Sequence, residues 1–110
     1  MSNFKVEGSA LLLAVLMGSV TLHAQAKGDA QAGAKKNSMC IGCHGIETYK
    51  TAFPHVYSVP KIAGQHPQYI VKALQAYKAG ERSHPSMLGI AGSLSDQDME
   101  DLAAYYGAAK

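Results

Sequence analysis

Within five residues, Cys40-Ile41-Gly42-Cys43-His44, the chain places its only two cysteines and a histidine. On a helical turn, residues three and four apart share a face. Cys40, Cys43 and His44 then point to one side. Two thiols at that spacing reach the two vinyl groups of one porphyrin edge and form thioethers, and the imidazole that follows projects over the ring with Nε2 toward the iron. One residue more or fewer between the cysteines would turn a sulfur off that face. The pattern is that of a covalent haem attachment site. Two other chemistries use such a pair. A thioredoxin-like thiol pair needs a strand before the motif and a sheet around it, and no segment here reads convincingly as a strand. A zinc site needs a second pair of ligands, but there is no further Cys, and His55, His66 and His84 are scattered.

The segment before the motif reads as an export signal. Ser9 to Val20 is an apolar run broken only by small residues, followed by Ala24-Gln25-Ala26, a small-x-small site for cleavage. The run is short for a membrane span. The expected division is residues 1–26 as signal peptide and 27–110 as one domain, with a retained anchor as the alternative. Of the 10 Lys and Arg and 8 Asp and Glu, only Lys5 and Glu7 precede Lys27, so the remainder keeps the net charge of +2. Its basic residues are dispersed, which gives no nucleic-acid footprint. No later segment is apolar enough to enter a membrane. A domain of this size buries little and usually needs a staple. With no Trp and 2 Phe in the chain, one of them Phe4, a porphyrin would supply the missing apolar bulk.

The rest reads as helix, haem motif, loop, helix, loop, helix. Asp29 caps a first helix from Ala30 to about Met39. Gly33 inside it signals close approach of another element. Residues 45–64 read as irregular, with Pro54 and Pro60 as breakers. A second helix opens at Pro67, with Ile70, Leu74 and Tyr77 on its apolar face, and stops at Gly80. His66, just before it, reads as a cap. Residues 81–94 read as irregular again, with Pro85, Gly89 and Gly92. Ser95 opens the last helix, with Asp98 placed to complete a capping box. Met99, Leu102, Ala103 and Tyr106 form its inward stripe.

A haem iron has a sixth position, and a Met there raises the potential and makes an electron carrier. Met39 adjoins the attachment motif and is tied to the porphyrin edge. Met99 reads as core. Met87, in a segment built on breakers, is the expected ligand. His84 is its rival and would give a bis-His iron of lower potential.

Cys40-Ile41-Gly42-Cys43-His44-Gly45, Pro60-Lys61-Ile62-Ala63-Gly64-Gln65-His66-Pro67, Gly80 to Met87, and Leu94-Ser95-Asp96-Gln97-Asp98-Met99 with Leu102 to Tyr106 together resemble class I cytochromes c, most of all the bacterial cytochrome c4/c553 group. The resemblance spans Gly28 to Tyr106. It implies an all-α fold of three to five helices wrapped around one covalently bound haem c, with the first and last helices crossing at Gly33. It implies Met87 as axial ligand, a hydrogen bond from His44 Nδ1 to the Pro60 carbonyl, and Ile62 packed on the haem. Cytochrome c4 has two haem domains and this chain one motif. The segment Gly45–Val59, with Tyr49, Phe53 and Tyr57, is longer and more aromatic than the family's usual link, and three roles stand for it: a haem shield, a docking surface or ordinary loop packing.

The function expected is that of a periplasmic electron shuttle, not an enzyme, passing single electrons between redox protein partners and meeting membranes only by transient docking to redox complexes. Lys50, Lys61, Lys72, Lys78 and Arg82 could steer an acidic partner. The alternative is a haem-based catalytic or gas-sensing domain, which requires a labile sixth ligand.

Overall fold

The computed structural model describes residues 27–52 and 55–109; the expected signal segment lies outside them, as does Phe53. Among the described residues there are five helices: α1 (Ala30–Lys36), α2 (Ser38–His44), α3 (Pro67–Lys78), α4 (Pro85–Gly92) and α5 (Asp96–Ala108). Two short strands, β1 (Lys50–Thr51) and β2 (Tyr57–Ser58), complete the elements. The architecture is all-α, as expected.

Helix α1 starts where its cap places it, with Asp29 Oδ1 accepting the Gln31 N–H at 2.8 Å. Seven residues are too few for a helix to stand alone in water, so tertiary packing must hold it. That packing is the crossing with α5. A Cβ on Gly33 would collide with the Asp101 carbonyl oxygen and lie 2.7 Å from Tyr105 Cβ. Glycine is what lets the two backbones meet. Asp101, 3% exposed, locks the crossing. Its Oδ1 accepts from Asp29 N–H and Gln97 Nε2, each at 2.8 Å, and its Oδ2 from Lys36 Nζ at 2.7 Å. Lys36 also reaches Asp98 at 2.7 Å. The Asp29 amide, then Lys36 and Gln97, hold the Asp101 carboxyl below the usual carboxylate range, because all three stabilise its anion.

The first helix does not run on to Met39. It ends at buried Asn37, whose carbonyl accepts from both Cys40 N–H (2.8 Å) and Ile41 N–H (2.9 Å), and a new helix carries the motif. Asn37 makes no side-chain capping bond at this junction; its backbone carbonyl does the joining.

Helix α3 opens at Pro67 as expected. The cap expected of His66 is only positional: its side chain makes no capping bond, and its own N–H donates to Gln65 Oε1 at 2.9 Å. Gly80, at φ +76°, turns the chain out of α3. Ser95 and Asp98 form the full capping box of α5, with Asp98 N–H on Ser95 Oγ at 3.1 Å and Ser95 N–H on Asp98 Oδ2 at 2.9 Å. Met99, Leu102, Ala103 and Tyr106 are all buried. Leu102, Ala103 and Tyr106 pack with Ile70 and Val71 of α3, and Cys40, Ile62 and Leu74 lie against that cluster.

Two further readings are corrected. Residues 81–94 are not irregular: α4 occupies Pro85–Gly92. Proline is tolerated at a first helical turn. Gly89 and Gly92 weaken the helix but do not stop it, since Ala91 is fully buried. The segment after the motif also holds a strand pair, β1 antiparallel to β2 with Lys50 opposite Ser58 and Thr51 opposite Tyr57, extended by Val59 N–H on Tyr49 C=O at 2.9 Å.

Candidate functional site

Helix α2, the ribbon, residues 59–62, α3 and α4 together wall a cavity of about 450 Å3. That is an ordinary size for a bound organic group. Its walls are mainly apolar, with Ile62, Ile70, Leu74 and Ile90 among them. Cys43, His44, Pro60, Ile62 and Met87, named separately along the sequence, all line it. Cys40 does not. Its half-buried side chain lies against the core cluster, and burial pushes its thiol up. A thiol poised for exchange is normally shifted the other way.

His44 is fixed by its other ring nitrogen. Nδ1 lies 2.7 Å from the Pro60 carbonyl oxygen. A carbonyl only accepts, so Nδ1 carries the proton and Nε2 keeps its lone pair for a metal. Met87 stands in the first turn of α4, on a helix rather than a loop. His84 lines the same cavity, but as the N-cap of α4, with Nδ1 accepting the Met87 N–H at 3.4 Å. Met39 is also on the wall. Met99 is fully buried in the core.

The cavity suits a porphyrin in its donor set and in its loose ends. One thiol, Cys43, an imidazole with a fixed tautomer and a thioether line one region, while Cys40, one turn before Cys43, lies against the core. Thr51, on the wall, carries a buried Oγ1 with no partner among the described residues. A buried hydroxyl without a partner is costly, and a carboxylate of the bound group would supply an acceptor. Tyr106 OH is also buried without a partner among the described residues, and burial first, then Cys40 and Tyr105, pushes its pKa up to about 12.

Sequence reasoning did not single out Thr51 or assign Tyr57 to the cavity, though both line it. Arg82, read only as a surface charge, also lines it, and its guanidinium lies 4.7 Å from the centre of the Tyr77 ring. Of the other basic residues, Lys61 lines the cavity, while Lys72 lines a separate groove of about 570 Å3 between α3, α5 and Lys27 that holds no Cys, His or Met. Among the described residues no three His, Cys, Asp or Glu side chains group as a metal site, and no helix is long and apolar enough to cross a membrane.

The cytochrome c family model matches residues 25–107. The chain is 38% identical over 109 residues to cytochrome c4 of Stutzerimonas stutzeri, covering 91% of this chain and 50% of that one. It is 48% identical over 80 residues to cytochrome c4 of Thiocapsa roseopersicina, covering 72% and 39%. It is 38% identical over 82 residues to cytochrome c-554(548) of Halomonas halodenitrificans, covering 72% and 94%. The chain thus spans about half the length of the cytochromes c4 it matches. With Cys43, His44 and Met87 lining one cavity and the family match over nearly all described residues, the chain belongs to the cytochrome c family: it is a class I c-type cytochrome close to cytochrome c4.

Proposed function

We propose that this chain carries one haem c, held through Cys40 and Cys43 and ligated by His44 and Met87, and that it shuttles single electrons between redox proteins in the periplasm without catalysing a reaction of its own. The observation that carries the reading is that His44, with Nδ1 tied to Pro60 at 2.7 Å, and Met87 line one apolar cavity. When bound, the group supplies one-electron oxidation and reduction at its iron. The chain's residues do the rest. The Pro60 carbonyl holds the proton on Nδ1 and so orients Nε2. Ile62, Ile70, Leu74 and Ile90 exclude water, which limits the reorganisation that accompanies a change of charge. Met87 offers a neutral thioether, which favours the ferrous state. Export follows from the apolar run and the Ala24-Gln25-Ala26 site, with residues 1–26 removed. Exposed Lys61 and Arg82, at the cavity wall, are placed to meet an acidic partner.

The test separates the two candidate sixth ligands. The oxidised protein is expected to show the weak far-red sulfur-to-iron band. Met87→Ala should abolish it, lower the potential and open the reduced iron to carbon monoxide, with haem still attached. His84→Ala should keep the band. Loss of the band in the His84 variant together with its survival in the Met87 variant would overturn the assignment, and rapid carbon monoxide binding by the unaltered protein at neutral pH would favour a sensing or catalytic haem.

A further inference from the structure

Met87 sits on a weak helix. Helix α4 has eight residues, two of them Gly89 and Gly92, and a Cβ added at either would meet nothing within 4 Å. Glycine lowers helix stability, and open space on that side adds no packing to offset it. The first-turn N–H groups of a helix have no partners inside it. Among the described residues one side chain answers one of them: His84, whose Nδ1 accepts the Met87 N–H. The bond is long at 3.4 Å, so it orients the turn only if the imidazole is itself held.

The group that holds it comes from the ribbon. The Tyr57 ring meets the His84 ring edge to face, with centroids 5.2 Å apart and planes at 68°. Tyr57 is fixed in β2 by its pairing with Thr51, and both line the cavity. It lies on the cavity wall and outside the core cluster of Ile70, Val71, Leu102, Ala103 and Tyr106. We infer that Tyr57 is a positioning residue for the sixth ligand: through His84 it braces the first turn of α4 and sets how firmly Met87 stays on the iron. This gives the Gly45–Val59 segment a role, and it rests on the reading of Met87 as ligand.

A contact made only while Met87 is seated shifts the seated-to-unseated equilibrium by its own free energy. An edge-to-face aromatic pair corresponds to roughly 2- to 10-fold in such an equilibrium. Because the affinity of a competing ligand scales with the unseated fraction, imidazole titration of the ferric holoprotein, followed by loss of the far-red band, reads it directly. Tyr57→Ala should bind imidazole about 2- to 10-fold more tightly, and Tyr57→Leu, which keeps bulk without an aromatic edge, should do the same if the alanine variant does not fold. Tyr57→Phe should match the unaltered protein. Tyr57→Ala combined with His84→Ala should exceed neither single variant, since both cut one chain of contacts. Lys36→Ala, which breaks the Asp98 and Asp101 pairs outside the cavity wall, should lower thermal stability without changing imidazole affinity. Unchanged affinity in both the Ala and Leu variants, or an equal gain in Lys36→Ala at equal thermal stability, sinks the brace. A ferric protein with no far-red band before any substitution would instead remove the ligand assignment, and the brace with it.

Discussion

Gly33→Ala tests the crossing on which the fold depends. The added Cβ would strike the Asp101 carbonyl oxygen and stand 2.7 Å from both the Asp101 carbonyl carbon and Tyr105 Cβ. These are backbone and first side-chain atoms, so no flexible end can swing aside. The helices must separate by a sizeable fraction of an ångström. Overpacking of this kind costs about 1–3 kcal/mol, and the rigid obstacle puts this site at the upper end. Separation also lengthens the bonds from Asp29 N–H and Lys36 to Asp101, adding about 1 kcal/mol. Against this, alanine is the better helix former by ~1 kcal/mol. The net expectation is a loss of about 3 kcal/mol, or roughly 12–24 °C in Tm for a domain of this size. Far-ultraviolet circular dichroism of the holoprotein during heating measures it. A Tm unchanged or raised would show that α1 and α5 are not in contact at Gly33, and the account of how the short α1 is held would fail.

Asp101→Asn keeps Oδ1 for Asp29 and Gln97 but removes the charge facing Lys36. It should lower the urea midpoint at pH 7 by an amount equivalent to about 1–3 kcal/mol. The Asp101 carboxyl is held below its unfolded value, so its contribution is present above about pH 4 and lost as pH falls through the folded value. The gap between the two proteins should therefore narrow at pH 3, and a gap that widens there contradicts the assignment. For the cofactor and the leader, haem stain should stay with the polypeptide after acid acetone, and the intact mass should equal Lys27–Lys110 plus one haem. A colourless band, or a mass retaining residues 1–26, speaks against covalent attachment or against cleavage respectively.

What could be read along the chain was what depends on near neighbours. That Cys40, Cys43 and His44 share one short helix follows from near neighbours, as do the Asp29 and Ser95 caps and the buried stripe of α5, because each partner lies within one or two turns; that Cys43 and His44 line the cavity while Cys40 lies against the core does not. Gly33 advertised a close approach, but the Asp101 backbone that fills it, and the role of Asp101 as the hub of the crossing, depend on residues 65 or 72 positions away. Pro60 was named for His44 through family resemblance, since nothing in local spacing brings a carbonyl to an imidazole 16 residues earlier. Helix α4 was hidden because its composition, Pro85 with two glycines, is that of a turn. Burial of Ala91 and packing on α3 outweigh propensity there, and those terms exist only once the chain has folded. The ribbon was equally hidden: two strands of two residues carry no alternating pattern, and their register is a property of the pair. Local hydrogen bonding and helical period therefore determined the helix that presents the proposed attachment motif. Which side chains meet around it was decided by contacts between distant segments, whose energies no single segment contains.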